Sequence, residues 1–127
     1  MAIGALLASF SPTSLGVVAM TQPEPVQITL EEHISLKAEE YGVSAIIMKK
    51  VINCENPDLD TTLQSRIIAP DGRREDSWGL VQIHLPSHPS VNKTQATNPE
   101  FAIDFLASKL SEGKGELWAC YRKLAAL

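Results

Sequence analysis

The chain has 127 residues, room for one domain with one modest core. At 44% hydrophobic and 20% charged it reads as an ordinary globular protein, neither disordered nor fibrous. A net charge of -4 and a pI near 5.3 give no reason to expect a nucleic-acid partner, and no repeat or low-complexity tract stands out.

Met1 to Met20 carries no charged side chain, and two short apolar runs, Ile3 to Phe10 and Leu15 to Met20, flank Ser11-Pro12-Thr13-Ser14. This stretch is too short and too interrupted for a membrane span. Val17-Val18-Ala19 resembles a small-residue cleavage site, yet the first Lys or Arg is Lys37, so the positive start of an export signal is missing. Two readings stand: a degraded or truncated export signal, or a disordered apolar tail. Pro23 and Pro25 mark a linker up to Ile28, which sets residues 1–28 apart from a domain over 29–127.

Thr29-Leu30-Glu31-Glu32 is a capping box and predicts a helix over Leu30 to Tyr41, ended by Gly42. His33 falls on its surface. A second helix follows, with Ser44 as N-cap and its end at Glu55, because Pro57 biases Asn56 away from the α region. Ile47, Val51 and Glu55 recur at four-residue spacing, so Glu55 continues the apolar face. Partial burial and the negative end of the helix dipole both disfavour its charged form. A raised pKa suits a general acid. The plainer alternative is a helix-terminal Glu turned into solvent.

Asn56 to Asp76 has little periodicity, with turn signals at Pro57, Pro70 and Asp71-Gly72 and carboxylates at Asp58, Asp60, Asp71, Glu75 and Asp76. Such long irregular segments are often functional. Ser77 to Ile83 is compact and apolar, a short helix or extended chain. His84 to Val91, with Pro86 and Pro89, is loop. Thr97 to Glu100 forms another capping box, with Pro99 in the first turn of a helix that ends at Gly113. A last helix is expected from about Glu116 to Leu124. The sum is a mainly α domain of four helices, with at most a small strand pair between Ile67 and Ile83.

The two cysteines, Cys54 and Cys120, are free buried thiols if the protein is cytosolic and one disulfide if it is exported. A bridge would close a long loop and stabilise by about 4 kcal/mol on chain-entropy grounds. His84 and His88 have the four-residue spacing of helical metal ligands, but Pro86 and Pro89 forbid that helix, so no metal is expected. Cys54 has no His near it in sequence to form a nucleophilic dyad. Arg66, Arg73 and Arg74 read as loop charges able to meet substrate carboxylates. Trp78 and Trp118 can stack on sugars, and Trp118, at helical spacing with Tyr121, equally suits the core.

Glu55, then an irregular loop, then Ser77-Trp78-Gly79-Leu80-Val81-Gln82-Ile83 is similar to the motif order of the lysozyme-like lytic transglycosylases, the SLT-type transglycosylase domain. In that family a catalytic Glu closes a helix and a Gly-Leu-Met-Gln-Ile block lines the cleft opposite. Thr97-Asn98-Pro99-Glu100-Phe101-Ala102 resembles the family's core-helix opening, and Trp118-Ala119-Cys120-Tyr121 resembles the helix that ends in a substrate-side Tyr. The match runs in the correct order over about Leu30 to Tyr121. Asn56 stands where the family has Ser, Val81 where it has Met, and Arg122-Lys123-Leu124 where it has Asn-x-Gly.

The resemblance implies a lysozyme-like fold and cleavage of the β-1,4 bond between N-acetylmuramic acid and N-acetylglucosamine in peptidoglycan. Glu55 is then acid and afterwards base, closing a 1,6-anhydro ring. Ser77, Gly79, Gln82 and Asn56 contact substrate, and Tyr121 approaches Glu55. With Tyr121 there, Cys120 comes next to Cys54 and the two pair. The implied protein is an exported, envelope or extracellular bacterial monomer that needs no cofactor and whose partner is the glycan strand. A muramidase using a loop Asp to activate water (Asp71 or Asp76 foremost) and a non-cleaving glycan-binding module are the alternatives, because a hydrolase normally wants a second carboxylate near the acid.

Overall fold

The computed structural model describes residues 27–126, so the expectations placed on the N-terminal apolar segment lie outside the described residues. The molecule is mainly α with one small antiparallel sheet. Helix α1 spans Leu30–Tyr41. Its capping box is made in both directions between Thr29 and Glu32, and Gly42 closes it at φ 68°. A non-glycine residue would strain there. Helix α2 spans Ala45–Glu55, with the Ser44 hydroxyl accepting from the Ile47 N–H. Met48, Val51 and Ile52 are its fully buried face.

The middle of the chain is an irregular ribbon leading into two short strands, β1 (Ser77–Trp78) and β2 (Ile83–His84), paired Ser77 to His84 and Trp78 to Ile83. Isolated bridges extend the pairing outward, Gln64 to Trp78 and Ile68 to Arg74. The turn between the strands drives Leu80 and Val81 into the core at 0% exposure. Helix α3 (Lys93–Ala96) was not legible: its capping box is Asn92 with Gln95. Helix α4 spans Pro99–Ser111. Its N-cap is Asn98, not Thr97, because the Asn98 side chain accepts from the Phe101 N–H while the Thr97 hydroxyl turns back to Lys93 and Thr94 carbonyls.

The last predicted helix is split. A 3-10 turn at Gly115–Leu117 gives way to an extended Trp118 (φ -108°, ψ 127°), and helix α5 begins afresh at Ala119–Ala125. The Trp118 ring is core, with its indole N–H donating to the Val81 carbonyl at 2.7 Å and its edge against Phe105. One cluster of Ile34, Met48, Val51, Ile52, Leu80, Val81, Ile83, Ile103, Leu106 and Trp118 joins all these pieces. Helix α1 lies against α2 and α4, and α2 against α5. The Tyr41 hydroxyl and the Lys37 ammonium both reach Asp104, tying α1 to α4 at 3.0 Å each. His33 is half-buried instead of a surface residue, with its Nε2 enclosed and unpartnered. Among the described residues no helix is long and apolar enough to cross a membrane.

Candidate active site

The end of α2 opens into a cleft of about 480 Å³. Glu55 and Pro57 contribute from the helix end, and Leu117, Trp118, Ala119 and Arg122 from the start of α5. The ribbon supplies Leu63, Ser65, Arg66, Ile67, Glu75 and Ser77; the hairpin and following loop supply Gln82, Ile83, His84, Ser87 and His88; α4 supplies Phe105.

Glu55 is half-buried, and its Oε2 accepts a hydrogen bond from the Cys120 backbone N–H at 3.2 Å. Burial pushes its carboxyl above the ordinary range, as the apolar spacing implied. The Cys120 N–H opposes that rise, the Glu75 charge adds to it, and Lys123 and Arg122 oppose it. The group is therefore protonated more readily than a surface Glu, and a donor stands ready for its ionised form. That is the behaviour required of a residue that gives a proton and then takes one.

Cys54 and Cys120 are joined, with Cα atoms 6.0 Å apart. The bridge links the residue before Glu55 to the residue whose N–H meets its carboxylate. Covalent connection thus fixes the geometry of that hydrogen bond.

Ser77 and Gln82 line the cleft as expected. Gln82 sits at φ 54°, a left-handed backbone that a non-glycine residue adopts at a cost. Its Nε2 donates to the Leu63 and Gly79 carbonyls, which leaves the side-chain carbonyl oxygen as the atom offered to a ligand.

Three of the expected substrate contacts belong elsewhere. Asn56 is fully buried, and its amide is consumed: Nδ2 donates to the Asp60 and Gly79 carbonyls, and Oδ1 accepts from the Asp60 N–H. It clamps the ribbon to the hairpin and does not line the cleft. Gly79 is also buried, at φ 86°, and any Cβ there would overlap the Ala96 carbonyl. The close approach it permits is to α3, not to a ligand. Tyr121 covers Gly115 and lines a separate depression with Val43, Ile47, Leu110 and Leu124. It is not among the residues that line the Glu55 cleft.

Of the loop carboxylates, Asp71 pairs with Arg73, Asp76 accepts from the Trp78 indole N–H, and Asp60 accepts from Thr62. None of these lines the cleft, nor does Asp58; Glu75 does. Arg74 is committed to the Ser65 and Gln64 carbonyls, whereas Arg66 and Arg122 face the cleft. His84 Nδ1 lies 2.7 Å from the Ser87 hydroxyl. His88 packs edge-on to Phe105, and burial pushes its pKa down, toward the neutral ring. No group of three His, Cys, Asp or Glu among the described residues is arranged to hold a metal ion. Glu75 was one of five loop carboxylates and His88 one of two loop histidines in the sequence, and neither could be singled out there, because loops have no periodicity to read; Phe105 reads as plain helix core. Comparison of the chain with protein-family models, with curated proteins and with solved structures gives no match.

Proposed function

We propose that this chain is a lysozyme-like lytic transglycosylase that cleaves peptidoglycan strands at the β-1,4 bond between N-acetylmuramic acid and N-acetylglucosamine. The observation that carries this reading is Glu55: a half-buried carboxyl at a helix end, with its pKa raised by burial, one oxygen held by the Cys120 N–H, and an open cleft in front of it. The motif order from Glu55 through Ser77 and Gln82 supports the substrate class.

Protonated Glu55 gives its proton to the glycosidic oxygen as the bond to C1 of the muramoyl unit breaks. The resulting carboxylate is stabilised by the Cys120 N–H. It then takes the proton of the C6 hydroxyl, and O6 bonds to C1 to close a 1,6-anhydro ring. Gln82 offers a carbonyl to a sugar hydroxyl or acetamido N–H. The Cys54–Cys120 bridge supports an exported setting, where disulfides persist.

The test is digestion of purified cell-wall peptidoglycan by the whole chain, followed by turbidity and by mass spectrometry of the released fragments. Clearing of the suspension with anhydro-ended fragments, lighter by one water than reducing ends, is the expected result. A suspension that does not clear overturns the reading.

A further inference from the structure

The cleft holds a second carboxylate that the transglycosylase step leaves unused. We propose that Glu75 is a general base for water, so that this cleft also hydrolyses the bond it breaks and releases reducing ends beside the anhydro ones. This rests on the reading of Glu55 as the proton donor.

Three observations place Glu75 in that role. It lines the same cleft as Glu55 and is half-buried there. Its backbone is pinned on both sides: its N–H donates to the Ile67 carbonyl at 2.8 Å, and its carbonyl accepts from the Gln64 side chain at 3.3 Å. Its side chain forms no ion pair among the described residues, although two arginines precede it. Arg73 is held by Asp71 and Arg74 by two ribbon carbonyls, so neither neutralises Glu75. A carboxylate held at the cleft wall by its pinned backbone, with no ion pair, has its lone pairs free to accept a proton from water. Asp58, Asp60, Asp71 and Asp76 lack that placement.

The step balances without a further reactant. Glu55 has given its proton to the departing glucosamine O4. Water oxygen bonds to C1 of the muramoyl unit, one water proton passes to the Glu75 carboxylate, and a reducing-end hemiacetal forms. The sum is one glycosidic bond broken and one water added. In the competing step O6 of the same sugar reaches C1 instead. The ratio of hydrated to anhydro ends therefore reports which nucleophile wins, and Glu75 acts on only one of them.

The experiment is the digestion above with Glu75→Gln, Glu75→Asp and, as a control outside the cleft, Asp71→Asn. Newly released ends are sorted by mass, and each variant's melting temperature is taken. The wild-type chain is expected to give both kinds of end. Glu75→Gln should lower the hydrated-to-anhydro ratio roughly a hundredfold, the scale of one lost general base, while anhydro ends continue to form. Glu75→Asp should recover part of the hydrated product, and Asp71→Asn should leave the ratio alone. The proposal falls if the wild-type chain gives anhydro ends only. It falls equally if Glu75→Gln leaves the ratio unchanged or lowers both products together. In these cases cleavage persists and the role of Glu55 stands; absence of any cleavage by the wild-type chain removes both. Should Glu75→Gln melt below the assay temperature, the ratio from Glu75→Asp decides, since a shorter carboxylate must shift it toward anhydro ends.

Discussion

The segment that carries Glu55 and the segment that carries Glu75 meet in one cleft but are held in place by different means. Glu55 ends a helix whose inner face is fully buried, and a disulfide ties that end to α5. Glu75 belongs to a ribbon with no helix, held by backbone hydrogen bonds such as Ser65 to Ser77, Glu75 to Ile67 and Gly79 to Leu63 and by polar side chains that reach backbone groups: Asn56 to Asp60 and Gly79, Arg74 to Gln64 and Ser65, Gln82 to Leu63 and Gly79. One side is thus fixed by covalent and apolar forces, the other by a small set of hydrogen bonds. Glu55, the proposed proton donor, sits on the covalently tied side, where its carboxylate meets the Cys120 N–H.

Reduction of the bridge, or Cys54→Ser with Cys120→Ser, should show the largest loss of stability. With the two cysteines 66 positions apart, chain entropy alone sets the loss at about 4 kcal/mol. Hydrogen exchange should then rise in α5 and at the end of α2 while the ribbon stays protected. Equal loosening of both sides would break the contrast.

Asn56→Ala should come next. It strips partners from the Asp60 N–H and weakens the hold on the Asp60 and Gly79 carbonyls, all at a buried site. The expected loss is about 3 kcal/mol, or roughly 15 °C in melting temperature for a domain of this size. Its exchange signature should be the reverse: faster exchange over residues 57–79 with α5 unchanged. A loss near zero would mean that the ribbon is held by something other than this clamp.

The physical difference between the two sides also explains how much of each was legible. Helix α1 and helix α2 were bounded correctly because capping boxes, a C-terminal Gly and a four-residue apolar spacing are local signals. Glu55 inherited its position from that spacing. Asn56 and Gly79 were recognised as special but given the wrong task, since an amide or a missing Cβ signals a close contact without saying with what. Tyr121 was placed by the resemblance alone, and no local signal in the sequence says which depression it lines. Glu75 was one loop carboxylate among five, and only the folded ribbon separates it from the others.

The smallest effect is the pH dependence of Glu55. Burial holds its carboxyl neutral to higher pH in the folded chain than in the unfolded one, so the folded state binds more protons through that window. Stability therefore falls as pH rises from the ordinary Glu range through the raised value, and it is unaffected by this group below about pH 4. Glu55→Gln removes the charge that burial penalises. The difference in melting temperature, variant minus wild type, should be flat below about pH 4 and grow toward pH 8. A difference that shrinks with rising pH would place the carboxylate in a stabilising site and contradict the burial argument.

The central claim is that Glu55 donates the proton that breaks the glycosidic bond. The direct measurement is the initial rate of fragment release from purified peptidoglycan by the wild-type chain and by Glu55→Gln, with both melting temperatures taken at neutral pH. Gln keeps an oxygen for the Cys120 N–H and nearly the same volume, but has no proton to give. The variant should lose roughly a hundred- to ten-thousandfold in rate and melt no lower than wild type. A folded Glu55→Gln variant that releases fragments at close to the wild-type rate would contradict the claim.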